Sequence, residues 1–201
     1  METEQLDQFL RKKGADLVGF CSCKEYFPEY SSAVVIGVSV LRLFKRERSD
    51  PVQAMNETMD LLNIEGRQFL CEQGFGVWGA LFSQEDLRGK DLVPHRELAV
   101  KAGLGIIGKN FLVVTPQFGP RVQLTTILTT MPVLPSPSLD FDPCKTCTIC
   151  VDKCPTGALN SHFRHELCIK CFKCVLSCPM GKDVQDISRY PDLSEIWQNI
   201  R

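Results

Sequence analysis

The sequence predicts an α+β fold, with an N-terminal α/β region followed by a small cysteine-rich domain. Helical and strand patterns alternate up to about residue 130, whereas eight of the 11 cysteines crowd between Cys144 and Cys178. Four prolines in the segment MPVLPSPSLDFDP (131–143) separate these regions, because proline ends helices and central strands. We therefore predict three parts, which are residues 1–137, residues 138–185 and a C-terminal tail at 186–201.

Hydrophobic periodicity predicts the elements of the N-terminal region. Leu6, Phe9 and Leu10 share one helix face, and Gly14 is a plausible stop. Met55 and Met59 mark the inner face of a longer helix, and this spacing is typical of a core. The remaining predictions are strands at 17–20, 33–40, 75–82, 111–115 and 122–130, and helices at 51–72 and 95–102.

Composition excludes several classes of protein. A formal net charge of -1 argues against a generally basic nucleic-acid binder, and 44% hydrophobic residues argue against disorder. No apolar run approaches the roughly 18 residues of a membrane span. The acidic start METEQLDQ lacks the apolar stretch of a secretory signal. We therefore expect a cytoplasmic protein without a membrane partner, in which dense cysteines bind metal rather than form disulfides.

The clustered cysteines form two repeats of C-x2-C-x2-C-x3-C-P, which is the spacing of bacterial ferredoxins that hold two 4Fe–4S clusters. In that arrangement the fourth cysteine of each run binds the other cluster. The spacing therefore assigns one cluster to Cys144, Cys147, Cys150 and Cys178, and the other to Cys168, Cys171, Cys174 and Cys154. Two structural zinc sites are the alternative, but zinc usually takes two cysteine pairs separated by a long loop. Clusters that only stabilise a small domain are a second alternative.

Gly103, Gly105 and Gly108 match the dinucleotide-binding pattern G-x-G-x-x-G, but their context does not fit it. That fingerprint follows a strand and opens a helix, with an acidic residue about 20 positions later. Here the glycines follow the helical stretch HRELAVKA and lead into the strand-like FLVVT. The glycines either let the backbone approach a large cofactor closely or make a tight helix-to-strand connection.

The segment AGLGIIGKN (102–110) and the following FLVVTPQFGPR (111–121) resemble the AGLGWIGKN and TPEFG.R segment of epoxyqueuosine reductases and their smaller relatives. GADLVGF, AVVIGVSV and the double cysteine run continue the match in order. The resemblance implies a nitroreductase-like first domain and a ferredoxin module that feeds electrons to cobalamin. If such a cofactor binds, Gly103, Gly105 and Gly108 would let the backbone approach it closely, and Lys109 and Asn110 would bind polar groups at its edge.

Three departures limit what the resemblance implies. The region before Asp91 is shorter than in full-length family members, Ile106 replaces the usual tryptophan, and no helical-repeat domain follows the cysteines. We therefore do not expect epoxyqueuosine as the substrate or tRNA as a partner.

Two residues compete for the role of proton donor. Asp91 opens DLVPHRE, which resembles the D-x-x-P-x-x-E stretch of the family, and His95 lies within it. A histidine already has a pKa near working pH, whereas an aspartate needs burial to reach it. A loop residue and a first-turn helix residue are the structural alternatives.

The sequence thus predicts an iron–sulfur oxidoreductase that passes electrons through two clusters to a cofactor or substrate in the N-terminal domain. The cofactor that the resemblance implies is cobalamin, and the expected electron donor is a ferredoxin, flavodoxin or reductase. The alternative is a non-catalytic electron-transfer subunit that docks a partner enzyme.

Overall fold

The structure is a computed structural model that describes residues 2–40, 51–79 and 93–181. The described residues of Met1–Leu104 and Gln123–Leu139 form one compact unit, and those of Gly105–Val122 and Asp140–Arg201 form a second. This grouping differs from a single division at residue 137, because the segment 105–122 joins the cysteine-rich region. The three-part division of the sequence stays a prediction, and its tail at 186–201 lies outside the described residues.

The described residues of the first unit include three named helices and a four-stranded sheet. The helices are α1 (Glu2–Lys13), α2 (Pro51–Glu72) and α3 (His95–Lys101). The strands are β1 (Leu17–Ser22), β2 (Ser32–Ser39), β3 (Val77–Trp78) and β6 (Val122–Thr129), in the order β1-β2-β6-β3. β1 pairs antiparallel with β2, from Leu17 opposite Gly37 to Ser22 opposite Ser32. The mixture of helices and strands predicted from the sequence is confirmed.

The sheet and α2 form the core of this unit. Every residue of β2 is buried, as the apolar run at 33–40 predicts. On α2, Met55, Met59 and Leu62 are at most 5% exposed, so the methionine spacing marks a core face. Phe9 of α1 packs on Phe69 of α2 with ring centroids 4.8 Å apart. Burial of these side chains stabilises the unit by roughly 1.5–3 kcal/mol for each large apolar residue.

Helix α1 shows how the local sequence sets its own limits. Glu2 and Glu4 lie in the first turn and three basic residues lie in the last, so the charges complement the helix dipole. Leu6 and Leu10 are fully buried on one face. Gly14 has φ 113° and ends the helix, because glycine adopts this conformation without steric cost.

The second unit is built from short elements. Strands β4 (Ile106–Ile107) and β5 (Val113–Val114) form an antiparallel hairpin. Two single-turn helices follow, α4 (Ile149–Asp152) and α5 (Lys173–Leu176), with a 3-10 turn at His165–Leu167. The strand predicted at 75–82 is described only to residue 79, and Val77–Trp78 is its paired part. Within 2–40, 51–79 and 93–181, no helix is long and apolar enough to cross a membrane.

Candidate functional site

The eight clustered cysteines line two cavities in the second unit. The first cavity, of about 70 Å³, contains Cys144, Cys147, Cys150 and Cys178 in its wall. The second, of about 120 Å³, is lined by Cys154, Cys168, Cys171 and Cys174. Each cavity therefore takes three cysteines from one run and the last cysteine of the other run. These are the same two sets that the spacing predicts.

The two runs place their cysteines on equivalent backbone positions. The third cysteine of each run lies in a single-turn helix, Cys150 in α4 and Cys174 in α5. The fourth follows the helix, and its N–H bonds the carbonyl three residues earlier: Cys154 to Val151 at 3.0 Å and Cys178 to Val175 at 3.4 Å. The repeat in the sequence is thus also a repeat in local structure.

The second run differs from the first in its backbone conformation. Lys170 and Phe172, on either side of Cys171, both have φ 52°, a left-handed conformation that costs a side-chain-bearing residue about 1 kcal/mol. In the described part of the first run, no residue has a positive φ. Alternation of left- and right-handed residues turns successive N–H groups into one concavity, a geometry common around phosphates and iron–sulfur clusters.

Burial raises the pKa of some of the thiols in each cavity. Burial raises the pKa of Cys174 to about 12, and the neighbouring Cys171 and Cys150 add to the effect. Burial, with the charges of Cys144 and Cys178, also raises the pKa of Cys150. Thiolates gathered in this way need cations between them, so the donor set fits a cationic iron centre.

Cys154 differs from Cys174, which lines the same cavity, in the direction of its pKa shift. Burial acts to raise its pKa, but hydrogen bonds from Thr156, Ala158 and Leu159 outweigh that effect and lower it. Its sulfur lies 3.8 Å from the Thr156 hydroxyl. The protein around Cys154 therefore favours its thiolate, which is the form that binds metal.

No group of three or more histidine, cysteine or acidic side chains in the described ranges is arranged to hold a single metal ion. Each set of four cysteines instead surrounds a cavity. All four donors of each set are sulfur atoms, the ligands that 4Fe–4S clusters take.

Arg121 is a site residue that sequence reasoning missed. It is 2% exposed, and its Nη1 donates to the carbonyls of Val175 and Cys178, each at 3.1 Å. Its Nη2 donates to the carbonyl of Met180. The guanidinium therefore fixes the backbone on both sides of Cys178, and its charge opposes the effect of burial on the pKa of that thiol. The signal in the sequence that could have identified Arg121 is its position at the end of the segment TPQFGPR, which resembles the family.

The glycine-rich segment forms a tight helix-to-strand connection. Gly103 follows α3 with φ 68°, and a Cβ there would lie 2.3 Å from the carbonyl oxygen of Pro137. A Cβ on Gly105 would lie 2.4 Å from the Val114 carbonyl oxygen, across the β4–β5 hairpin. At Gly108 it would lie 2.6 Å from Val114 Cγ2 and 3.3 Å from the sulfur of Cys144. The chain itself thus fills the space that these glycines leave.

Lys109 and Asn110 contact the cysteine-rich region. Lys109 Nζ donates to the carbonyl of Lys145, the residue after the first cysteine, at 3.3 Å. Asn110 is 6% exposed and lines both cysteine cavities. Their predicted contact with a corrinoid stays a prediction.

Only one of the two proton-donor candidates lies in the described part of the chain. Asp91 lies outside the described residues. His95 is the first residue of α3, and its Nδ1 lies 2.8 Å from the hydroxyl of Thr126 on β6. This contact fits the alternative of a first-turn helix residue and leaves its catalytic role a prediction.

Comparisons with known proteins identify relatives over part of the chain. No protein family model matches it. The chain is 41% identical over 80 residues to the epoxyqueuosine reductase of Bacillus subtilis (strain 168), which covers 37% of this chain and 20% of that protein. It is 42% identical over 65 residues to the tetrachloroethene reductive dehalogenase of Sulfurospirillum multivorans, covering 31% and 13% respectively. The matches thus span about a fifth or less of each relative.

Solved structures extend the similarity to most of the fold. An epoxyqueuosine reductase bound to an epoxyqueuosine-modified tRNA stem loop matches with a TM-score of 0.69 and 21% identity, over 90% of this chain and 65% of that chain. A reductive dehalogenase whose structure suggests a B12-dependent mechanism matches with a TM-score of 0.69 and 17% identity, over 98% and 35%. At these identities the similarity shows the fold.

The fold and the matched sequence segments place the chain beside a class of reductases that includes proteins named epoxyqueuosine reductase and reductive dehalogenase. Within that class, the resemblance to epoxyqueuosine reductase-like iron–sulfur proteins is confirmed. The nitroreductase-like and ferredoxin-like division of the chain stays a prediction.

Proposed function

We propose that the chain is an iron–sulfur oxidoreductase that passes electrons through two 4Fe–4S clusters to a cofactor or substrate in its N-terminal region. The observation that carries the proposal is the pair of cavities, each lined by four cysteines. The first cavity would hold one cluster through Cys144, Cys147, Cys150 and Cys178. The second would hold the other through Cys154, Cys168, Cys171 and Cys174. When bound, the clusters supply one-electron transfer.

The surroundings of the cysteines support a redox role. Hydrogen bonds to sulfur, burial and nearby charge set the potential of such clusters. The first cavity has the buried guanidinium of Arg121 beside Cys178, and the second has the hydrogen bonds that Cys154 accepts. A positive charge stabilises the reduced, more negative state of a cluster. The two sites would therefore differ in potential.

The proposed acceptor is cobalamin, which the B12-dependent reductive dehalogenase among the structural matches supports. The glycine-rich segment adds no support, because the chain's own atoms fill the space beside Gly103, Gly105 and Gly108. The binding of a corrinoid by these glycines stays a prediction. The proposed electron donor is a ferredoxin, flavodoxin or reductase, and the proposed location is the cytoplasm.

Anaerobic reconstitution with iron and sulfide, followed by titration with hydroxocobalamin, tests this proposal. Visible spectroscopy reports both the clusters and the coordination of cobalt. Saturable binding that shifts cobalt to its base-off spectrum is the expected result. Clusters that pass electrons to a partner protein without binding cobalamin would favour the electron-transfer subunit. Failure to bind iron and sulfide would overturn the proposal itself.

Substrate probes can be taken from the structural matches. One epoxyqueuosine reductase was solved with an epoxyqueuosine-modified stem loop, and one reductive dehalogenase with 3-bromo-4-hydroxybenzoic acid. Turnover of the stem loop would contradict the expectation that tRNA is not a partner. With a probe that reacts, single changes Asp91→Asn and His95→Gln identify the proton donor. If neither change slows turnover, the proposed acid–base role of both residues is wrong.

A further inference from the structure

A single side chain lies against both cysteine cavities. Asn110, in the turn of the β4–β5 hairpin, lines the cavity of Cys144 and also the cavity of Cys174. Asn110 is 6% exposed, so more than nine-tenths of its surface is buried. A buried amide without hydrogen-bond partners is costly, which makes the partners of Asn110 informative.

The orientation of the amide follows from its hydrogen bond. The backbone N–H of Leu112 donates to Asn110 Oδ1 at 3.2 Å, so the atom that accepts must be the oxygen. Nδ2 is therefore the other atom, and none of the hydrogen bonds in the described chain engages it. Two N–H donors of Nδ2 thus remain without a partner in the described chain, on a residue that lines both cavities.

Gly108 leaves room for the side chain of Asn110 beside the first cavity. A Cβ on Gly108 would lie 2.9 Å from Asn110 Oδ1 and 3.3 Å from the sulfur of Cys144. Glycine at this position therefore lets the amide and the cysteine approach the same space. A larger residue would displace one of them.

We propose that Asn110 is a positioning residue shared by the two clusters, donating Nδ2–H hydrogen bonds to sulfur at both cavities. This inference rests on the proposed function, because the acceptors are cluster sulfurs. Donors to sulfur stabilise the reduced cluster, which carries more negative charge, and so raise its reduction potential. One amide would therefore raise the potentials of both clusters together.

The test is a potentiometric titration followed by electron paramagnetic resonance on reconstituted wild type and on Asn110→Asp. The change keeps the shape of the side chain but replaces the donor with a carboxylate. Both midpoint potentials should fall, by on the order of a tenfold change in the reduction equilibrium, or about 59 mV for a one-electron couple. Asn160→Asp makes the same change on an exposed residue of the same unit that lines neither cavity, and should leave both potentials in place.

A second measurement on the wild-type protein avoids any loss of folding in the variant. Labelling the side-chain amide of asparagine with 15N and recording hyperfine spectra should reveal coupling at each reduced cluster. Asn110→Ser should remove this coupling. Unchanged potentials in Asn110→Asp, a shift confined to one cluster, or no coupling in the wild type would overturn the inference. Each of these results requires that clusters have formed, so it is distinct from a failure of the proposed function.

Discussion

Arg121 Nη1 donates a hydrogen bond to the backbone carbonyl of Cys178 at 3.1 Å. The two residues lie 57 positions apart in the chain, yet this bond fixes the turn that brings the last cysteine of the second run to the first cavity. The guanidinium donates hydrogen bonds to three carbonyls in all. Because it is buried, water has little access to these carbonyls and would replace the hydrogen bonds poorly.

Replacing Arg121 with glutamine should destabilise the protein. The change leaves buried carbonyls without donors, and each costs about 1–3 kcal/mol, so we expect the free energy of unfolding to fall by roughly 3 kcal/mol or more. Urea denaturation of the cluster-free protein measures the loss. Arg164→Gln is the matched control, because Arg164 donates to the single carbonyl of Gly157 at 3.1 Å and should lose about 1 kcal/mol. Equal losses in the two variants would contradict this account of Arg121.

Gly108→Ala should disturb the first cavity. The new Cβ would lie 2.6 Å from Val114 Cγ2 and 3.3 Å from the sulfur of Cys144, and overpacking of this kind costs about 1–3 kcal/mol. We expect a lower melting temperature and a lower iron content after reconstitution. Gly76→Ala is the control, because Gly76 is exposed and its nearest neighbour would be the flexible end of Thr130 at 3.2 Å. A Gly108→Ala protein with normal iron content would contradict the close packing at Cys144.

Cys21 should resist alkylation in the native protein. It is 2% exposed, and burial raises its pKa to about 11, so the thiolate is scarce at neutral pH. Since the folded pKa lies above the unfolded one, the protonated thiol favours the folded state below about pH 9, and that contribution is lost as pH rises through 11. Iodoacetamide at pH 8 with mass spectrometry should modify the exposed Cys71 and spare Cys21. Equal labelling in protein with native circular dichroism would show that Cys21 is accessible.

Local patterns predicted the regular elements well. The spacing of Met55 and Met59 indicated α2, because an apolar face that repeats every three to four residues is typical of a helix. The cysteine spacing likewise indicated which four thiols share a cavity, since the geometry is set within two short repeats.

Contacts between distant segments could not be predicted in this way. The grouping of the β4–β5 hairpin with the cysteine runs depends on tertiary packing, which leaves no periodic signal in a single sequence. The place of Asn110 at both cysteine cavities could therefore not be predicted from the sequence, and its predicted contact with a corrinoid stays untested. Arg121 was missed for the same reason, because its partners lie more than 50 residues away.

The most direct test compares two quadruple variants of the reconstituted protein. In the first variant, the four cysteines of the first cavity become alanine, which are Cys144, Cys147, Cys150 and Cys178. In the second variant, the four cysteines of the first run become alanine, which are Cys144, Cys147, Cys150 and Cys154. Sharing of cysteines between the runs predicts that the first variant keeps one intact 4Fe–4S cluster and half the wild-type iron. The second variant should keep no intact 4Fe–4S cluster, because the second cavity then has three cysteines. A full cluster in the second variant and none in the first, by iron analysis and electron paramagnetic resonance, would contradict the account.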